Sequence, residues 1–285
     1  MIPREADARP GRTVETRVVT HEGSHRATRD DSVVTEEPLE IRIVARGATQ
    51  TVAVTMRTPG NDFELAAGFL YGEGVVRSRD EIEGITYCVD PDVETRQRYN
   101  IVNVVLRGDR APDLERFERH FTMTSSCGVC GRAQLDALRD RGIAPVQDAL
   151  SIPASLLYAL PERMREAQRV FSATGGLHAA ALFDAGGDAI EVREDVGRHN
   201  AIDKIVGSAL LAGRLPLASR ILAVSGRASY EILQKSVVAR IPILCAVSAP
   251  SSLAVELARE FDVTLCGFVR AGRANVYSVP ERITA

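Results

Sequence analysis

Lysine is almost missing from this chain. Lys204 and Lys235 are the only two among 35 basic residues, and 38 aspartates and glutamates leave a formal net charge of −3. Without an overall basic field, general attraction to a nucleic acid backbone is excluded, and any anionic ligand has to be held by local groups. Where arginine does the holding, its forked guanidinium suits phosphate and carboxylate. A long apolar run is missing too. The longest uncharged stretch, residues 241–255, contains Pro242, Pro250 and three serines, which makes it too short and too broken to span a bilayer. The opening segment MIPREADARPGR mixes charges of both signs and has no apolar run, so it predicts no secretory signal and a cytoplasmic protein. Cysteine is scarce and odd in number, five in all. Without an export signal that count argues against a disulfide framework and for reduced thiols, so their positions matter more than their number.

What is present is the composition of a folding chain. With 285 residues, 45% hydrophobic and 26% charged, the sequence supports one large domain or two ordinary ones. Residues 1–12 read as a disordered tail. From Thr13 the pattern is of strands: VETRVV, LEIRIV and VAVTM each alternate apolar and polar residues. In NDFELAAGFLYGEG, Phe63, Ala66, Ala67 and Leu70 fall at helical spacing, with Asn61 or Asp62 able to cap and Gly72 and Gly74 able to stop the helix. More strands follow around residues 84–89 and 99–106, then a short amphipathic piece, DLERFERHF, and the loop TMTSSCGVCG. Residues 13–145 are therefore expected to form a smaller, β-rich domain ending in the cysteine loop.

The pattern changes over residues 146–285. LSIPASLLYALPERMREAQRVF reads as two consecutive helices, with Pro161 in the first turn of the second. LHAAALFD and DAIEVRE flank a hairpin signal at Ala185, Gly186 and Gly187. Helices and strands of similar length then alternate to the end, which predicts a largely parallel sheet covered by helices. Right-handed crossovers bring the carboxyl ends of ILAV, ILCAV and VTLCGF to one edge, where open sheets of this kind hold ligands.

Three clusters can carry chemistry. Cys127 and Cys130 in SSCGVCG are flanked by glycines and precede a helix, which favours accessible thiolate. A sulfur-carrying cysteine, a thiol–disulfide pair and half of a zinc site all fit. Zinc lacks two of its four ligands, because Cys245 and Cys266 lie inside apolar strands and Cys88 is alone. A zinc deaminase would need HxE before PCxxC, and neither is present. The second cluster, EDVGRHNAIDK, puts His199 and Asn200 at a strand-to-helix junction, where polar ligand binding and simple capping compete. The third is the sheet edge. Ser225, Gly226 and Arg227 follow one strand, Ser251 and Ser252 the next, and Phe268, Val269, Arg270, Ala271, Gly272 and Arg273 the last. Converging hydroxyls, helix starts and arginines there suit a nucleotide phosphate, with His178 in GGLHAAAL approaching beside them.

Taken in order, SSCGVCG, FSATGGLHAAAL, EDVGRHNAIDK, SGRASYEILQKS, APSSLAVELA and GFVRAGRANVY resemble the FdhD family of formate dehydrogenase accessory sulfurtransferases. EEPLEIRI and TPGNDFELAAGFLYGEG extend the resemblance toward the amino terminus. It implies an α/β chain whose carboxyl-terminal domain is cytidine-deaminase-like, joined to the smaller β-rich domain and forming a homodimer. It also implies a sulfur carrier that takes persulfide sulfur from a cysteine desulfurase and gives it to the molybdenum or tungsten cofactor of formate dehydrogenase. That cofactor is the bis(molybdopterin guanine dinucleotide) form. By the resemblance Cys127 bears the persulfide, Cys130 assists, and residues 268–273 meet the guanine dinucleotide. The alternatives are a non-catalytic cofactor-binding chaperone and a CxxC thiol–disulfide oxidoreductase.

Overall fold

A computed structural model describes residues 9–108, 136 and 138–285, so the segment DLERFERHF and both Cys127 and Cys130 lie outside the described residues. The chain begins with β1 (Thr13–Glu22) and β2 (His25–Val34), an antiparallel ribbon whose side chains are mostly exposed. Residues 9–12, assigned to the tail by sequence, make specific contacts. Arg9 Nη2 donates to the Tyr87 hydroxyl at 2.8 Å, and the Arg12 carbonyl accepts from Thr35 N.

A four-stranded sheet follows, built from β3 (Glu37–Ala45), β4 (Ala48–Arg57), β5 (Ile82–Tyr87) and β6 (Ile101–Leu106) in the order β4-β3-β6-β5. The alternation in LEIRIV puts Leu39, Ile41 and Ile43 on one face, where they meet Leu65, Ala66 and Leu70 of α1 (Asp62–Glu73). Asn61 enters α1 in the left-handed region, at φ 59°, and its side chain caps no backbone group; it donates to Glu64 instead. The expected cap is therefore replaced by a side-chain pair. Gly74, at φ 78°, ends the helix as expected. A single turn, α2 (Thr95–Arg98), lies between β5 and β6.

Beyond the cysteine loop come β7 (Ile152–Pro153), α3 (Ala154–Ala167), α4 (Arg169–Thr174), β8 (His178–Phe183), β9 (Ala189–Asp195), α5 (Arg198–Leu211), β10 (Ile221–Val224), α6 (Tyr230–Val238), β11 (Ile243–Ala246), α7 (Ser252–Glu260), β12 (Thr264–Arg270), β13 (Arg273–Ser278) and β14 (Ile283–Thr284). The expected break at Pro161 does not occur. Leu157, Leu160 and Met164 form one buried stripe that crosses it, so packing on the sheet outweighs the single hydrogen bond that proline removes.

The six-stranded sheet has the order β13-β12-β11-β10-β8-β9. Only β10, β11 and β12 are mutually parallel, and the outer strands pair antiparallel, so the sheet is mixed rather than largely parallel. The hairpin at Gly186 and Gly187 and the two-residue β12–β13 hairpin account for the difference, since each returns the chain directly without a crossover helix. Period-two alternation divides the sheet residues cleanly. Leu222, Val224, Leu244 and Leu265 join a core under α5, α6 and α7, while Ile221, Ala223, Ile243 and Cys245 face α3.

The two sheets meet through helices. α5 is buried nearly all round, packed on the six-stranded sheet on one side and on α1 on the other. The α1–α5 crossing is tight because it is made of glycines. A Cβ on Gly68 would lie 1.9 Å from the Asp203 carbonyl oxygen, and one on Gly207 would lie 1.8 Å from that of Glu64. Among the described residues, no helix is long and apolar enough to cross a membrane.

Candidate functional site

Parallel β10, β11 and β12 bring three loops to one edge, and the loops are hydrogen-bonded to each other. Phe268 N donates to the Ser248 carbonyl at 3.2 Å, and Ser248 N to the Gly226 carbonyl at 3.3 Å. Ala228 N donates to Ala249 O, and Ser251 N returns a bond to Ala228 O. The edge is thus a continuous backbone rim, and one loop cannot shift without disturbing the next. β8 starts beside it. Ser225 N donates to Ala179 O at 3.0 Å while Ser225 Oγ accepts from Ala179 N at 2.9 Å, which fixes His178 next to Gly226. In front of this corner is an open pocket of about 540 Å³, lined by His178, Ser225, Val247, Gly176, Phe171 and Met164 among others. Its size and mixed lining suit a small-molecule group. Burial, together with Arg198 and His199, pushes the His178 imidazole below its usual range.

The EDVGRHN segment is a buried clamp with a polar outer turn. Asp195 is fully buried and accepts four hydrogen bonds, from Gly197 N, Asn200 Nδ2, Thr58 N and Lys204 Nζ. Lys204 also donates to the Thr58 carbonyl at 3.0 Å. Asn200 faces inward, donating to Met56 O at 2.7 Å and accepting from Thr55. The strand end at residues 55–58 is therefore sewn to the start of α5. Burial lowers the affinity of Lys204 for its proton. The outer turn is different. His199 Nε2 lies 3.4 Å from Ser229 Oγ and 3.7 Å from Glu231 Oε2 on α6, and the imidazole beside it, with Ser229, brings the Glu231 carboxyl down to about 2.

The remaining sequence-selected residues separate by position. Ser251 caps α7, accepting from Ala254 N, and Ser252 opens that helix; both are exposed at the rim. Arg227 is exposed. Phe268 does not end β12 as expected, because the strand continues to Arg270. Phe268 lies instead at a register shift with φ 54°, a conformation that bulky side chains rarely adopt. Val269 is buried against α3, whereas Arg270, Ala271, Gly272 and Arg273 form an exposed hairpin tip, with Gly272 at φ 70° and the two arginines paired across the strands. Strain beside exposed cations is characteristic of a site kept for binding.

Cys88, Cys245 and Cys266 are buried free thiols. Burial pushes Cys245 well up and Cys266 up to about 12, so neither presents a thiolate near neutral pH. From the sequence Asp195 reads as a polar member of the EDVGRHNAIDK cluster or a cap of the following helix, not as the centre of a buried clamp; Lys204 is given no role there, and its one signal is the rarity of lysine in a chain that otherwise uses arginine.

A mixed α/β sheet with a hydrogen-bonded loop rim, joined through a glycine seam to a β-rich module, defines the class. A model of the FdhD/NarQ family matches residues 34–284. The sulfur carrier protein FdhD of Streptomyces avermitilis is 51% identical over 277 residues, covering 96% of each chain. That of Sulfurisphaera tokodaii is 44% identical over 257 residues, covering 90% of this chain and 93% of its own. A solved structure, a candidate formate dehydrogenase accessory protein from Desulfotalea psychrophila, superposes with a TM-score of 0.73 at 25% identity, covering 95% of this chain and 99% of that one. The chain belongs to the FdhD/NarQ family.

Proposed function

We propose that this protein is a cytoplasmic sulfur carrier and sulfurtransferase that serves formate dehydrogenase. The observation that carries the reading is the hydrogen-bonded rim at the carboxyl edge of β10–β12, which suits a nucleotide-tailed client, in a chain similar to sulfur carrier proteins over nearly its full length. In this reading residues 13–145 form a module that brings the cysteine loop to a cytidine-deaminase-like domain, residues 146–285, and the protein acts as a homodimer.

The sulfur chemistry falls to Cys127. Its thiolate attacks the outer sulfur of a cysteine desulfurase persulfide; the sulfur–sulfur bond breaks, the donor cysteine leaves as thiolate, and Cys127 carries S–SH. The substrate that receives the sulfur is the molybdenum or tungsten centre of the bis(molybdopterin guanine dinucleotide) cofactor, held by its guanine tails on the rim. Attack of Cys130 thiolate on Cys127 Sγ would form a Cys127–Cys130 disulfide and release the outer sulfur as sulfide, the two thiols supplying the electrons. Cys88, Cys245 and Cys266 are unsuited to this work because they are buried.

Incubation with a desulfurase and cysteine, followed by mass spectrometric mapping of sulfur adducts, tests the reading. Wild type gains a persulfide at Cys127, and Cys127→Ala loses both loading and the ability to activate formate dehydrogenase. An adduct elsewhere in Cys127→Ala with activity intact would sink the assignment of Cys127, activity without any adduct in the wild type would favour a cofactor chaperone, and a disulfide without persulfide would favour a thiol–disulfide oxidoreductase.

A further inference from the structure

Among the described residues, Arg198 is a cation without a counter-charge. Its Nε is buried and has no hydrogen-bond partner, and among the described residues no carboxylate pairs with its guanidinium. What sets Arg198 apart is the missing carboxylate: Arg57 binds Asp62 and Asn100, Arg282 pairs with Asp262, and Arg193, whose Nε also lacks a hydrogen bond, still pairs with Glu191 through Nη2. An unpaired guanidinium with a desolvated Nε is costly unless something anionic completes it.

Its surroundings point to what that is. Gly226, on the loop after β10, has only a hydrogen where a side chain would sit. A Cβ there would lie 3.5 Å from His178 Nδ1 and 3.7 Å from Arg198 Cδ, so the space over Gly226 is flanked by an imidazole and an arginine stem. His199 adds a second imidazole on the same helical turn, held by Ser229 and Glu231. The nearest carboxylate facing this corner from β9, Asp195, has all its acceptor positions filled by Lys204, Thr58, Gly197 and Asn200 and is turned into the interior. Beside Gly226 the flanking groups are donors, and the Glu231 carboxylate on α6 is taken up by His199. This is the composition of an oxyanion site, and a forked guanidinium beside a neutral imidazole is suited to two oxygens of one phosphoryl group.

We propose that Arg198 and His178, on either side of Gly226, form a phosphate-binding station at the neck of the crevice, set back from the exposed Arg270–Arg273 hairpin. The inference deepens the nucleotide-client reading and rests on it for the identity of the natural ligand. The station itself recognises a phosphoryl group, either of a guanine nucleotide or of free inorganic phosphate or pyrophosphate. His178 is held on the neutral side by burial and by Arg198 and His199, so a bound dianion should pull its proton affinity back up.

Calorimetric titrations with GDP, pyrophosphate and guanosine separate the sources. The wild type should bind GDP and pyrophosphate, and Arg198→Gln should weaken both by roughly tenfold or more, as for loss of one charge-assisted contact, while leaving guanosine unchanged. Gly226→Ala is the second variant. Its backbone is outside the left-handed region and a methyl meets only ordinary contacts, so it should fold normally yet obstruct the station and weaken pyrophosphate similarly. Saturating pyrophosphate should also raise the His178 midpoint in proton NMR, with the resonance assigned by its loss in His178→Gln. GDP binding that is equally tight in wild type, Arg198→Gln and Gly226→Ala would overturn the station while leaving the nucleotide reading intact. Pyrophosphate binding that depends on Arg198, without any GDP binding, would keep the station and overturn the nucleotide reading. If neither ligand binds the wild type, the station fails.

Discussion

Lys204 Nζ lies 2.6 Å from Asp195 Oδ2, and neither side chain is more than 1% exposed. A point-like ammonium fits the space between that carboxylate and the Thr58 carbonyl, where the wider fork of arginine would not. Lys235, the other lysine, is likewise buried, 2.6 Å from Asp203. The chain has thus kept lysine only where a compact buried cation is needed. Both pairs lie along the contact of α5 with its neighbours, so the electrostatics of the interior and the joining of the two sheets are one problem.

Lys204→Met should therefore destabilise the protein by about 3–5 kcal/mol, because it leaves Asp195 buried and charged without a counter-charge. Asp195→Asn with Lys204→Met should recover much of that loss, since the pair is then removed as a unit. Urea unfolding of both variants checks this. Additive losses in the double variant would mean that the pair does not act as a buried ion pair.

The glycine seam makes a sterically simpler prediction. In Gly207→Ala the new methyl would overlap the Glu64 carbonyl at 1.8 Å, and backbone cannot rotate away as a side chain can. α1 and α5 have to move apart, at an expected cost of about 3 kcal/mol or more in thermal unfolding. An unchanged melting temperature would show that the crossing is looser than described.

How much of this was legible in the sequence depends on the range of the interactions. α1 and the strands β10, β11 and β12 could be read because their periodicity reports burial locally. The ribbon strand β2, HRATRDDSVV, could not, because neither of its faces packs on a core and no alternation is imposed. Pro161 misled because the stripe carrying α3 through it depends on a sheet built from residues far along the chain. At the site, the loops after β10, β11 and β12 were legible as turn chemistry at strand ends. The clamp at Asp195 was not, since Thr58, which donates to Asp195, and Met56, which accepts from Asn200, are more than a hundred positions away. The isolation of Arg198 is likewise a property of three-dimensional neighbours alone.

Glu231 gives a pH prediction. The His199 imidazole beside it, with Ser229, holds its carboxyl at about 2 in the folded protein, against 4.5 for the free group. A depressed carboxyl stabilises the fold fully above the unfolded value, and the contribution is lost as pH falls through the window from about 4.5 to about 2. The stability difference between wild type and Glu231→Gln should therefore be flat near neutrality and shrink on acidification across that window. A difference that stays constant down to pH 2 would mean that the His199–Glu231 contact does not form in solution.

Arg270 and Arg273 face each other across the β12–β13 hairpin, both exposed. Like charges directly opposite on a strand pair disfavour the fold by a few tenths of a kcal/mol, a cost that the phosphate contact proposed for this hairpin would offset. Arg273→Ala should then move two measurements in opposite senses. Stability in urea should stay level or rise slightly as the repulsion is relieved. Affinity for GDP should fall by about tenfold or more, because a charge-assisted phosphate contact worth about 1.5–3 kcal/mol is removed. Cys127→Ala should bind GDP normally, since the sulfur chemistry and the hairpin occupy different parts of the chain. Equal GDP affinity in wild type and Arg273→Ala would remove the hairpin from the binding site and leave the neck at Arg198 as its sole cationic contact.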